Sequence, residues 1–83
     1  MNYKVVYTQT AFDDIKKLDT ILRKRIKKKI EAYMSQPLSF AKGLSHSSIG
    51  MYRWRIGNYR VVFDIDGSTI IILRIGHRRE IYR

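Results

Sequence analysis

The sequence predicts an α+β fold, a helical hairpin packed on one face of a small, mainly antiparallel sheet, in the order β-α-α-β-β-β. Three observations predict it. Two stretches in the first half repeat apolar residues at helical spacing. Three stretches in the second half are rich in β-branched and aromatic residues. Gly57-Asn58 and Asp66-Gly67 separate those three as two-residue hairpin turns do, because such turns need positive φ. The chain has 83 residues, enough for one domain spanning 1–83. A chain this short buries only about 60% of its unfolded surface, so its core is modest.

Taken in order, Lys4–Tyr7 (KVVY) reads as a short strand. Thr8 or Thr10 caps the first helix, in which Ala11, Phe12, Ile15 and Leu18 recur at helical spacing. Asp13 and Asp14 are expected in its first turn, where the helix dipole favours them. Asp19 caps the second helix, with an apolar stripe of Leu22, Ile26, Ile30 and then Tyr33 or Met34, and Pro37 stops it. Helices joined this closely form an antiparallel hairpin. From Gln36 to Gly50 the chain reads as a connecting loop with apolar anchors at Leu38, Phe40 and Leu44. Strands are expected at Tyr52–Ile56, Tyr59–Ile65 and Thr69–Ile75.

Register decides which side chains share a face. A two-residue turn at 57–58 sets Ile56 opposite Tyr59, Arg55 opposite Arg60, Trp54 opposite Val61 and Arg53 opposite Val62. Side chains alternate across a sheet. One face then carries Tyr52, Trp54, Val61 and Phe63, the candidate core. The other carries Arg53, Arg55, Arg60 and Val62, and a second two-residue turn adds Ile71 and Leu73. The result is a half-covered aliphatic floor bearing three guanidinium groups, with Asp64 the only acid among these positions.

Seventeen Lys and Arg against seven Asp and Glu give a net charge of +10. Partners of opposite sign follow: nucleic acid, an acidic protein or an anionic membrane surface. All eight lysines lie in residues 1–49, while residues 50–83 hold seven arginines and no lysine. Arginine's planar fork matches phosphate and tolerates partial burial, so the second half reads as the site. There is no cysteine, which removes disulfides and thiolate metal sites and suits a reducing cytoplasm. No signal-peptide core and no apolar run near the ~20 residues of a membrane helix is present, so no membrane partner is expected.

An uncompensated arginine cluster on an apolar floor is either a solubilising face or a seat for an anion, phosphate being the natural one. The tail GHRREIYR (76–83) adds His77, Arg78, Arg79 and Tyr82, including a phenol and an imidazole able to move protons. The run RKRIKKK (23–29) on the second helix is either a solvated face or a surface that steers the chain toward a polyanion. The strand aromatics alternate onto the helix-packed face, where they are core rather than base-stacking platforms. His46 and His77 are far apart and lack a carboxylate pattern, so no metal site and no cofactor are expected.

The order β-α-α-β-β-β, the segment YRWRIGNYRVVF and the ending GHRREIYR resemble the RelE/ParE toxin superfamily, the RelE branch most. The resemblance covers nearly the whole chain. It implies the toxin of a type II toxin–antitoxin system, a ribosome-dependent endoribonuclease that cuts mRNA and arrests translation. The site residues it implies are Arg53, Arg55, Arg60, Arg78 and Tyr82, with His77 and Arg79 as accessories. His77 is an alternative to Tyr82 as proton acceptor. Arg23, Lys24, Lys27 and Lys28 would then face RNA and ribosome, and an acidic antitoxin would cover the basic surface. The second-strand cations are often lysine in RelE, and the family's frequent C-terminal helix has no counterpart before Arg83. RNA supplies its own nucleophile, the 2′-hydroxyl, so the expected chemistry needs no metal. Two other readings remain open: a ParE-like toxin acting on gyrase, and a basic nucleic-acid-binding module without catalysis.

Overall fold

The helix starts form where short polar side chains precede apolar periodicity. In the computed structural model, which describes residues 2–43 and 50–81, β1 spans Lys4–Tyr7, α1 Gln9–Lys16 and α2 Thr20–Tyr33. Thr8 Oγ1 accepts from the Ala11 amide at 3.1 Å and Asp19 Oδ1 from the Leu22 amide at 2.9 Å. Caps of this kind are worth about 1 kcal/mol each. Because Thr8 is the cap, α1 begins at Gln9, and Asp13 and Asp14 fall beyond its first turn. The expected dipole role for these acids is therefore corrected, and Asp14 serves another purpose, described below. Ile26 and Ile30 of α2 are buried. The buried Pro37 opens a single 3₁₀ turn, Pro37–Ser39.

The expected loop holds an additional strand. β2 (Ala41–Gly43) pairs antiparallel with β3 (Tyr52–Ile56), matching Ala41 to Trp54 and Lys42 to Arg53. Leu38 and Phe40 are exposed rather than anchoring the loop, and Leu44 lies outside the described residues. β4 (Tyr59–Asp66) and β5 (Thr69–His77) complete a five-stranded sheet in the order β1-β5-β4-β3-β2. Only β1 and β5 run parallel.

The first hairpin has the expected register, Arg55 opposite Arg60 and Trp54 opposite Val61, with Gly57 at φ +58. In the second, Asp66 pairs with Thr69, so the turn is Gly67-Ser68 rather than Asp66-Gly67. Moving a two-residue turn by one position moves every partner by two, one full pleat, so sidedness survives. A bulge follows: Phe63 pairs with Ile72 but Val62 with Arg74, leaving Leu73 as the extra residue.

Both helices pack on one face. Ala11, Ile15, Ile26 and Ile30 meet Trp54, Ile56, Val61, Phe63, Ile70, Ile72 and Ile75 in one cluster. Trp54 satisfies its indole by donating to the Pro37 carbonyl at 2.9 Å, which ties the 3₁₀ turn to the sheet. Past Ile72, β5 outruns β1, and its edge is met by α1 instead. Thr8 Oγ1 donates to the Leu73 carbonyl at 3.2 Å, and the Asp14 carboxylate accepts from the Ile75 amide at 2.9 Å and from Arg74 Nε at 2.8 Å.

The opposite face is half covered. Val62 is fully buried yet stands apart from the helix-side cluster. Gly50 sits against it: a Cβ there would stand 2.7 Å from Leu73 Cδ1 and 2.9 Å from Val62 Cγ1, so any other residue would force these side chains to move. Asp64 accepts from the Met51 amide at 2.7 Å and pins the chain as it enters β3.

Candidate active site

The face away from the helices gathers cations from three adjacent strands. Lys42 of β2 lies opposite Arg53 of β3, and Arg55 lies opposite Arg60 of β4. Lys42, Arg53 and Arg55 line a pocket of about 210 Å³ together with Phe40. Arg55 is exposed and Arg53 half-buried. The tail returns beside the same hairpin, where the Arg78 amide donates to the Asn58 carbonyl at 2.8 Å. Arg78 and Arg79 are exposed, whereas Ile81 is buried above Gly76, the residue opposite Arg60.

Arg60 differs from its neighbours. It is only 5% exposed, and its Nη1 donates to the carbonyls of Gly57 at 3.0 Å and Tyr59 at 2.9 Å. The guanidinium folds back onto its own turn. That geometry eases the like-charge problem of the hairpin, since Arg55 points to solvent while the Arg60 guanidinium turns back to donate to carbonyl oxygens.

Other sequence-predicted site residues lie elsewhere. His77 pairs with Tyr59 across β4 and β5, and the two rings meet edge to face at 5.5 Å. Tyr59 packs against the helix-side core, so His77 stands on the side of the sheet away from Arg53 and Arg55. Its Nδ1 accepts from the Arg79 amide at 3.2 Å. Arg23 donates through Nη2 to the Leu18 carbonyl at 2.9 Å and so closes the C-terminal end of α1. Lys24, Lys27 and Lys28 are exposed on α2, in the helical layer and not on the arginine face. Tyr82 and His46 lie outside the described residues.

Lys42 was not legible as a site residue. Its strand carries no alternating apolar signal, and only the pairing with Arg53 brings it to the cluster. Arg74 carries no motif of its own either, and it is engaged with Asp14. The assembled face offers several cations to one anion on a rigid sheet, which is the chemistry of phosphate binding and of charge stabilisation at phosphorus.

A sequence-family profile described as ParE toxin of type II toxin-antitoxin system, parDE, matches residues 5–82. The toxin RelE3 of Methanocaldococcus jannaschii is 36% identical, over 95% of this chain and 94% of that protein. The toxin RelG of Mycobacterium tuberculosis is 36% identical, over 100% of this chain and 99% of that protein. A chain from the crystal structure of the toxin-antitoxin complex RelBE2 of Mycobacterium tuberculosis superposes with a TM-score of 0.85 at 31% identity, covering 94% of this chain and 100% of that one. With the helical hairpin, the five-stranded sheet and nearly full-length similarity in agreement, this chain belongs to the RelE/ParE family of toxins from type II toxin–antitoxin systems.

Proposed function

We propose that residues 1–83 act as one toxin domain that cleaves mRNA on the ribosome, and that an acidic antitoxin silences it. The observation that carries this reading is the convergence of Lys42, Arg53, Arg55 and Arg60 on the sheet face that the helices leave bare. Arg53 and Arg55 bind the scissile phosphate and the extra charge of its transition state. Arg60 holds the hairpin turn that presents Arg55. The RNA 2′-oxygen attacks phosphorus and the bond from phosphorus to the 5′-oxygen breaks, leaving a 2′,3′-cyclic phosphate and a 5′-hydroxyl. Tyr82, acting in its phenolate form, takes the 2′-hydroxyl proton, a role favoured for it because His77 stands across the sheet with Nδ1 engaged. Arg78, tethered to the turn through Asn58, stabilises the leaving oxygen as water or the guanidinium protonates it. No well-tuned acid–base pair is present in this set, so positioning of mRNA by the ribosome supplies part of the rate. The antitoxin reading rests on the net charge of +10 and on a similar toxin having been solved as a toxin-antitoxin complex.

The test is cleavage by purified protein of mRNA on programmed ribosomes and of the same mRNA free. Fragments with 5′-hydroxyl ends, formed far faster on ribosomes and abolished by Arg55→Ala, are expected. Equal cutting of free RNA removes the ribosome requirement. The profile's ParE description favours a second reading, a toxin acting on gyrase. That reading predicts growth arrest with DNA damage, no 5′-hydroxyl fragments and full toxicity of Arg55→Ala.

A further inference from the structure

Phe40 has an unusual setting for an exposed aromatic. It is 51% exposed, yet its ring is fixed from behind by Tyr33, with centroids 4.5 Å apart and planes 21° from parallel. Tyr33 in turn rests on Trp54 at 5.8 Å, and Trp54 on Phe63 at 4.1 Å. A series of rings thus runs from the core of the sheet to its β2 edge and ends in an exposed face. Trp54 is further held by its bond to Pro37, three residues before Phe40. Among the described residues, the pocket beside that face is otherwise lined by cations, Lys42, Arg53 and Arg55.

We propose that Phe40 and Lys42 form a nucleotide subsite next to the phosphate cluster, with a splayed nucleobase stacked on Phe40 and the adjoining phosphate on Lys42 and Arg55. Single-stranded RNA is recognised by this pairing of aromatic faces with cations along the backbone. The Tyr33 support matters because a ring already held in place loses little side-chain freedom when a base settles on it. Stacking tolerates any base, so the subsite adds affinity and register rather than strict sequence choice. The subsite rests on the reading of the arginine face as an RNA site, but not on cleavage.

The test measures binding of a short oligoribonucleotide with 2′-O-methyl groups, which removes the nucleophile, against a matched series with one abasic position moved along the strand. For the wild type, one abasic position is expected to weaken binding about fivefold to a hundredfold. Phe40→Leu is expected to bind the intact strand that much more weakly and the abasic strand as the wild type does, and Phe40→Trp to restore discrimination. Lys42→Ala is expected to weaken both strands and to reduce the slope of log K against log salt by about 1. Wild type that does not distinguish intact from abasic strands overturns the subsite, as does a Phe40→Leu variant with unchanged binding. Unchanged oligonucleotide binding with loss of a co-expressed antitoxin would assign the pocket to the protein partner and overturn the subsite too. Intact discrimination without cleavage of ribosomal mRNA would instead remove the nuclease reading and leave the subsite standing.

Discussion

Arg55 and Arg60 face each other across one hairpin, and their side chains have opposite fates. Arg60 is buried and bonded to two turn carbonyls, while Arg55 reaches solvent. The two substitutions to alanine should therefore separate. Arg60→Ala is expected to lower stability by about 1–3 kcal/mol, because it removes charge-assisted hydrogen bonds to the Gly57 and Tyr59 carbonyls and a side chain that is itself buried. Arg55→Ala should stay within about 0.5 kcal/mol of wild type while abolishing cleavage. Denaturant melts beside the ribosome assay read both. Loss of activity in Arg60→Ala alone would not show contact with RNA. Tyr7 gives a second residue-scale expectation. Burial, and then the nearby Glu31 carboxylate, raise its phenol above the ordinary value of 10.0. The fold thus favours the neutral phenol. Its contribution is fully present below about pH 10 and is lost as pH rises through the folded-state value. Tyr7→Phe should shrink the fall in melting temperature between pH 8 and pH 11.

Among the elements, α1 does more than cover the sheet, since it finishes the edge of β5 that β1 leaves open. Asp14 is the joint, with its side chain only 10% exposed and accepting from both Arg74 and the Ile75 amide. Asp14→Ala should cost about 1–3 kcal/mol because it orphans a backbone donor. Arg74→Ala should cost under about 1 kcal/mol, as a partly exposed ion pair does. Equal losses from the two would show that the ion pair, and not the amide, is what Asp14 serves. The helix caps, the apolar stripe of α2 and the first hairpin were legible in the sequence because each depends on residues a few positions apart. The strand β2 was not, since Ala-Lys-Gly has little strand propensity and forms only against β3. The bulge at Leu73 was hidden for a related reason. It accompanies the contact of Arg74 with Asp14 at the β5 edge, across 60 residues of chain. Arg60 was legible as a neighbour of Arg55 but not as a buried group. Its burial depends on how its side chain folds back onto the turn and on the pairing with Gly76 of β5, neither of which local spacing reveals.

Over the whole molecule, the positive charge is divided between two layers. The arginine face lies on one side of the sheet, and Lys24, Lys27 and Lys28 lie on α2 on the other. Charges that do not touch a ligand still draw it in over about a Debye length. Replacing the three lysines with alanine should slow association with ribosomes at low salt and lose that effect at high salt. The turnover of bound mRNA should not change. A drop in turnover would place these lysines in contact with the substrate.

The parallel pairing of β1 with β5 bears on how the toxin comes into being. Among the described residues β1 has no other strand beside it, and its pairing with β5, Lys4 with Thr69, spans 65 residues of chain. Pairings this distant close late. During synthesis β1 waits unpartnered while both helices and three more strands emerge, and the sheet is complete only when the codons for β5 have been read. The hairpin that presents Arg55 is tied down by the tail that follows β5. The proposed weapon against translation is thus assembled only after the ribosome has made every strand of the sheet that carries it.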